Sequence, residues 1–352
     1  MQSPDMTAGT VPADTGLDGP APANPDEEKK DRRKKFILLL ILLLTLLILS
    51  LLTTWYLLFR KPLTELPSVT APQAMPTYQG SIYGLSKPQS VAVSNDATRI
   101  VITETGTSLD TVVMDRLGNK LGVLAPPTDQ VPSAHQLFVA TDPVTGEFWT
   151  TDRFNGIVAI YSSAGKFEKL FDPGSALQNW QPLAIGFDAS GDAYIADVSN
   201  GAAVIYEFDP TGKQLRSFGA AEKLDHPNGI VVAKDGTVYV TDTGNGRLVV
   251  YGPSGNMIGS IGRGAAEANL GLPVGVALDD HGNVQVVDSS ASRVQAYAQV
   301  AADQHSPDYI NSFGEKGSGD ANFSYPNGLA ADSQGRVYVA DWGNDRLEIW
   351  SY

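Results

Sequence analysis

Two stretches decide the fold: His226 to Tyr251, HPNGIVVAKDGTVYVTDTGNGRLVVY, and Tyr325 to Trp350, YPNGLAADSQGRVYVADWGNDRLEIW. Each reads as three short strands separated by turns. An apolar run follows Pro-Asn-Gly, a Val-Tyr-Val strand follows a glycine turn, and an Arg-Leu strand follows Asn-Gly or Asn-Asp. Working outward, the residue before the first apolar run falls at Pro88, Ala134, Pro182, Pro227, Pro273 and Pro326. The end of the second strand falls at Glu104, Asp152, Asp197, Asp242, Asp288 and Asp341. The second series is spaced by roughly 45 to 53 residues, the period of four-stranded propeller blades. The long last interval is assigned to an expanded loop over Gln299 to Pro307.

A fourth strand follows most repeats, for example Gln214 to Phe218, Met257 to Ile261 and Tyr309 to Phe313, whereas the sixth repeat stops at Tyr352 without one. The stretch Tyr78 to Gly84 resembles Met257 to Gly262, so Thr77 to Gly84 is expected to supply the missing outer strand and close the ring. The fold class is therefore all-β, a six-bladed β-propeller over residues 77–352, preceded by one transmembrane helix.

That helix is read from Phe36 to Phe59, a run of mostly Leu and Ile without a charge. At about 1.5 Å per residue it spans a hydrocarbon core of roughly 30 Å. The run exceeds the apolar length of a cleaved signal peptide, and no small-residue cleavage site follows closely. Lys29, Lys30, Arg32, Arg33, Lys34 and Lys35 precede it, and only Arg60 and Lys61 follow. The positive-inside rule then puts the N-terminus in the cytoplasm and the propeller outside, in a single-pass cell-membrane protein. Residues 1–35 read as a disordered cytoplasmic tail ending in the basic cluster. Residues 60–76, with Pro62, Pro67, Pro72 and Pro76, read as an extended spacer.

The repeats resemble the NHL family. The resemblance rests on Val238-Tyr239-Val240-Thr241-Asp242 followed by Thr243-Gly244-Asn245-Gly246-Arg247-Leu248, and on Phe313 to Phe323 leading into Tyr325-Pro326-Asn327-Gly328. It covers residues 77–352 and includes the extracytoplasmic, membrane-anchored NHL proteins. The early repeats depart from it: Glu104 lacks the following Asn and Arg, the second and third repeats lack the Arg, and Ala291 stands where Asn is usual. The sets Asp242, Asn245, Arg247 and Asp341, Asn344, Arg346 read as turn scaffolding, because Asp and Asn accept turn amides and Arg pairs with carboxylates.

Function is less legible. The formal charge is −14, and acidic and basic residues cancel before Thr77, so the propeller carries the imbalance. Such a surface repels phosphate backbones, and no nucleic-acid partner is expected. With no cysteine there is no disulfide, thiolate nucleophile or zinc-thiolate site. Sites of propellers cluster where the inner strands begin. This register puts Gln89, His135, Leu183, Asn228, Val274 and Asn327 there.

One imidazole without a carboxylate falls short of the three protein ligands usual for catalytic zinc, so neither a metal nor another cofactor is expected. Gln89, His135, Asn228 and Asn327 are the channel candidates for ligand binding, and Trp342 the loop candidate. The expectation is a membrane-tethered interaction module. Its partners are a protein or glycan ligand in the cell envelope, and the lipid bilayer through the N-terminal helix. The competing reading, implied by propeller relatives, is a metal-dependent lyase or lactonase with a site in the channel.

Overall fold

The computed structural model describes residues 25–59, 75–177, 179–199, 201–262, 268–300 and 306–352. The proposed tail before residue 25, nearly all of the spacer, and the centre of the Gln299 to Pro307 loop lie outside the described residues.

The chain divides into two units, Met1–Ala71 and Pro72–Tyr352. In the first, one α-helix covers Pro25–Phe59, 35 residues. It begins before the expected Phe36, so residues 25–35 are helical and not the disordered tail read from composition. Proline suits a first helical turn, and Lys, Arg and Glu are good helix formers, so polarity does not end the helix. The stretch Arg32–Thr54 is long and apolar enough to cross a membrane, and its leucines and isoleucines are exposed on every side.

The second unit is a ring of six four-stranded antiparallel sheets. The innermost strands are Pro88–Val93, Phe138–Thr141, Pro182–Phe187, Pro227–Val232, Pro273–Leu278 and Pro326–Ala331. Each touches the inner strand of the blades on either side, the sixth against the first. Such closeness requires small residues. A Cβ on Gly275 would sit 2.5 Å from the Asn327 carbonyl oxygen of the next blade.

The second and third strands of each blade are buried on both faces, which is why they read as runs such as Val-Tyr-Val and not as alternation. Six apolar cores result, each between two neighbouring blades. Val238, Val240 and Tyr251 meet Tyr194 and Ile205 between blades three and four, while Tyr239 and Leu248 on the opposite face meet Val284 and Tyr297 of blade five. The early repeats, despite their departures, pack in the same way, with Ile100, Ile102 and Val112 facing blade six and Val101 facing Phe148 and Tyr161.

The strand Thr77–Tyr83 pairs antiparallel with Arg346–Ser351 and completes the sixth sheet as expected. Thr77 opposes Ser351 and Ile82 opposes Leu347, with a bulge between Tyr78 and Gly80. Tyr78 meets Trp350 edge-on at 5.7 Å, and Ile82 joins the core between blades six and one.

The seam also contains charge. Arg346, 2% exposed, donates from Nε to Asp341 Oδ2 at 3.0 Å and from Nη2 to the Gly319 carbonyl at 2.7 Å. Its Nη2 also lies 2.6 Å from Oε1 of the buried Glu348, which opposes Ser81 of the closing strand. One guanidinium thus serves two buried carboxylates. Burial pushes the Glu348 carboxyl up from 4.5 to about 7; the charge of Asp341 adds to this and Arg346 opposes it.

A carboxyl raised in the folded state favours folding while protonated. The contribution is complete below pH 4.5 and lost as pH rises through about 7. Glu348→Gln should therefore flatten the pH dependence of the melting temperature between about pH 5 and pH 8, gaining on the wild type as pH rises. Parallel melting profiles for the two proteins would overturn this assignment.

Candidate functional site at the channel mouth

The ladder register defines which residues face one another where the inner strands begin. Ser90 pairs with Thr103, Phe138 with Thr151 and Gly229 with Thr241, so the residues just before them are equivalent. The ring is then Gln89, Leu137, Leu183, Asn228, Val274 and Asn327. Five positions agree with the sequence reading and one is corrected: blade two contributes Leu137, two residues beyond His135. His135 uses its backbone N–H to bond Asp152 Oδ2 at 2.6 Å, and its buried Nε2 has no partner. It does not line the cavity at the mouth.

That cavity has a volume of about 520 Å³. Gln89, Asn228 and Asn327 line it, as does Trp342, so four of the five sequence candidates meet in one place. Asn327 Nδ2 donates to Gln89 Oε1 at 3.1 Å, and Asn228 Nδ2 to Thr243 Oγ1 at 3.1 Å. Trp342 is fixed by a 3.2 Å bond from Nε1 to Thr105 Oγ1, with Lys87 Nζ 4.9 Å from its ring centroid. Leu137, Leu183 and Phe138 form the apolar part of the lining. Phe138 also lines the narrow waist below, a space of only about 50 Å³, which separates the mouth from a second opening of about 320 Å³ at the other end.

Further residues of the lining, not among the sequence candidates, include Arg153, Phe154, His226 and Tyr325. The signal for the first was present. Arg153 directly follows the blade acid Asp152, just as Trp342 follows Asp341. Its guanidinium lies 4.8 Å from the Phe154 ring centroid, and Phe154 is 68% exposed. His226 and Tyr325 share a different device with Lys87. All three precede a proline yet have positive φ, 47°, 50° and 52° respectively, a region disfavoured for such residues.

Their loops are alike in blades one, four and six. Ser86, Asp225 or Ser324 packs against Gly106, Gly244 or Gly343; a Cβ on Gly343 would lie 2.3 Å from Ser324 Oγ. The strained backbone thus displays Lys87, His226 and Tyr325 beside the mouth. His226 Nδ1 is 2.5 Å from Asp225 Oδ1.

Behind the rim the repeated acids act as scaffold. Glu104, Asp152, Asp197, Asp242, Asp288 and Asp341 are all buried. Each accepts, at 2.6 to 2.7 Å, a backbone N–H from the loop that leads into its own inner strand. Burial alone would raise Asp288, but the amides of Gly271 and Leu272 hold its carboxyl below the usual value. Asn245 and Arg247 complete the fourth set by donating to Asp242, as the turn reading expected.

Asp279, Asp280 and His281 form the only group of three potential metal donors among the described residues. It lies in a turn between the first and second strands of blade five, away from the mouth lining. Asp279 is already engaged by amides of His281 and Asn283 and by the Gln285 side chain. Of the other histidines, His305 lies outside the described residues.

A six-bladed propeller with an open, ligand-sized mouth is the class that this geometry defines. Family comparison refines it: the NHL repeat model matches residues 224–251 and 323–350. The chain thus carries NHL repeats within a six-bladed β-propeller. It is 31% identical to NHL repeat-containing protein 3 of the mouse, Mus musculus, over 94 residues. That match spans 26% of this chain and 26% of the mouse protein.

Among solved structures, a streptogramin B lyase superimposes with a TM-score of 0.55 at 14% identity, over 79% of this chain and 98% of the lyase. A catalytically inactive virginiamycin B lyase from Staphylococcus aureus with quinupristin gives 0.53 at 14% identity, over 79% of this chain and 98% of the other. At that identity the likeness is one of fold.

Proposed function

We propose that this chain is a membrane-tethered propeller that binds a protein or glycan ligand of the cell envelope at the channel mouth around Trp342. The carrying observation is the cavity of about 520 Å³, lined by aromatic rings and side-chain amides on rigid strand ends. Its size lies within the range of small-ligand sites, and its mix of apolar surface with a few convergent polar groups is that of a recognition site. Strain at His226 and Tyr325 supports the reading, because backbone of this kind persists where surrounding structure holds a side chain in place for use. The apolar helix is the tether. The basic cluster from Lys29 to Lys35 supports a cytoplasmic N-terminus and an extracytoplasmic propeller.

A second reading, a lyase, draws on the named activity of the fold neighbours and on the His226–Asp225 contact of 2.5 Å. An imidazole oriented by a carboxylate at a cavity edge is a competent general acid or base. Among the described residues the lining has no carboxylate, which favours binding over metal-assisted chemistry at this mouth.

The chain has no cysteine, so single cysteines report topology cleanly. A membrane-impermeant maleimide should label Ala189→Cys, in an exposed turn of blade three, on intact cells, and Ser3→Cys only after permeabilisation. The reverse pattern would invert the proposed orientation. A photoreactive residue at Tyr325, in native membranes, should crosslink a ligand, with the adduct lost in Trp342→Ala; an adduct indifferent to Trp342 would remove the mouth as the site. For the lyase reading, conversion of quinupristin that disappears in His226→Ala is the expected result, and no conversion by the intact chain would dismiss it for that substrate.

A further inference from the structure

We infer that the channel mouth selects an acidic saccharide of the uronic-acid type, with Arg153 receiving its carboxylate. This rests on the mouth being the binding site and adds the chemistry of the occupant. Arg153 is the outlier among the described arginines of the propeller. Arg216, Arg247, Arg336 and Arg346 each pair with a carboxylate. Arg99 and Arg116 donate to a carbonyl and to a side-chain amide, and Arg293 is also engaged. Among the described residues Arg153, half-buried in the wall of the cavity, has only the Phe154 ring beneath it. A guanidinium held on an aromatic face keeps its hydrogen-bonding fork free and pre-oriented for a planar carboxylate.

Among the described residues the lining supplies no competing anion, since the nearby blade acids accept loop amides and none of them lines the cavity. In a domain of strongly negative charge, the Arg153 guanidinium is a positive charge in a described lining that holds no carboxylate, Asp225 beside the mouth being engaged with His226. A single fork fits a single carboxylate better than a phosphate, whose recognition typically draws on clustered arginines.

The remaining wall describes the rest of the ligand. Exposed faces of Tyr325 and Phe154, with Trp342 between blades, suit the apolar face of a ring, while the Gln89–Asn327 amide pair suits hydroxyls. A pyranose acid has one carboxylate, one flat apolar face and a rim of hydroxyls.

The test is calorimetric titration of the full chain in nanodiscs of neutral lipid. The probes are trigalacturonate and a hyaluronan tetrasaccharide, each compared with its carboxyl-reduced neutral counterpart. At low salt at least one acidic probe should bind about tenfold or more tightly than its neutral form. Arg153→Gln should shrink that preference to about twofold or less while leaving the melting temperature unchanged, and Arg153→Lys should retain part of it. Trp342→Ala should weaken acidic and neutral probes alike.

Equal binding of acidic and neutral probes, a preference that survives Arg153→Gln, or no binding of either acidic probe would overturn the inference. Neutral-probe binding that depends on Trp342 and ignores Arg153 would keep the mouth as the ligand site and remove its selectivity for anions. Crosslinking at Tyr325 that ignores Trp342 would instead remove the site itself.

Discussion

Every blade of this propeller buries both faces of its sheet, and a sheet can do so only if another stands on each side. The ring is the consequence. In an open arc of six blades, the outer faces of the first and last would have no cover, and each large side chain left in water would forgo about 1.5 to 3 kcal/mol. Pairing of Thr77–Tyr83 with Arg346–Ser351 ties the two ends of the domain into one sheet. The same seam carries a buried electrostatic cluster, with Arg346 shared between Asp341 and Glu348. A buried pair of this kind gives little net stability, but its breakage strands a charge, so it penalises misregister of the closing strand.

Ring closure also sets the geometry of the mouth. Inner strands approach so closely that the ring beside the channel holds Gly229, Gly275 and Gly328, leaving side chains of the preceding position to form the wall. Blade two breaks the pattern by placing Phe138 at the position of those glycines, and the ring of Phe138 separates the mouth from the waist. Buried acids then anchor the loops from behind through backbone amides, which frees the side chains of those loops from structural duty. Lys87, His226 and Tyr325 can adopt a strained backbone because a serine or aspartate packed on a facing glycine holds each loop in place.

The fold was legible because its signals are local and repeated. Pro-Asn-Gly, the buried Asp and the Asn-x-Arg turn recur at fixed offsets, and the missing outer strand could be found by comparing Tyr78 to Gly84 with Met257 to Gly262. The error at His135 has a specific cause. Blade two lacks the proline that marks the strand start in the other five blades, and a slip of two residues preserves which side chains face each core. Only the pairing of Phe138 with Thr151 distinguishes the two registers. The start of the helix at Pro25 was missed for a different reason: hydropathy marks where a helix can meet lipid, not where its hydrogen bonds begin.

Of the residues that distinguish this mouth, Trp342 was legible as a loop aromatic, whereas Arg153 and Phe154 were hidden by the same regularity that revealed the ring. Repeat comparison rewards positions that recur, whereas Arg153, Phe154 and Trp342 occupy positions where the other blades carry small or uncharged residues such as Thr105, Thr243, Ser289 and Gly244. The position after each blade acid faces the mouth in several blades, and neither packing nor turn geometry dictates its identity. A long arginine and a tryptophan on such a position displace water from no core and complete no turn. Their contribution is to the open cavity, and for that reason the departures from the repeat say more about recognition than the repeat does.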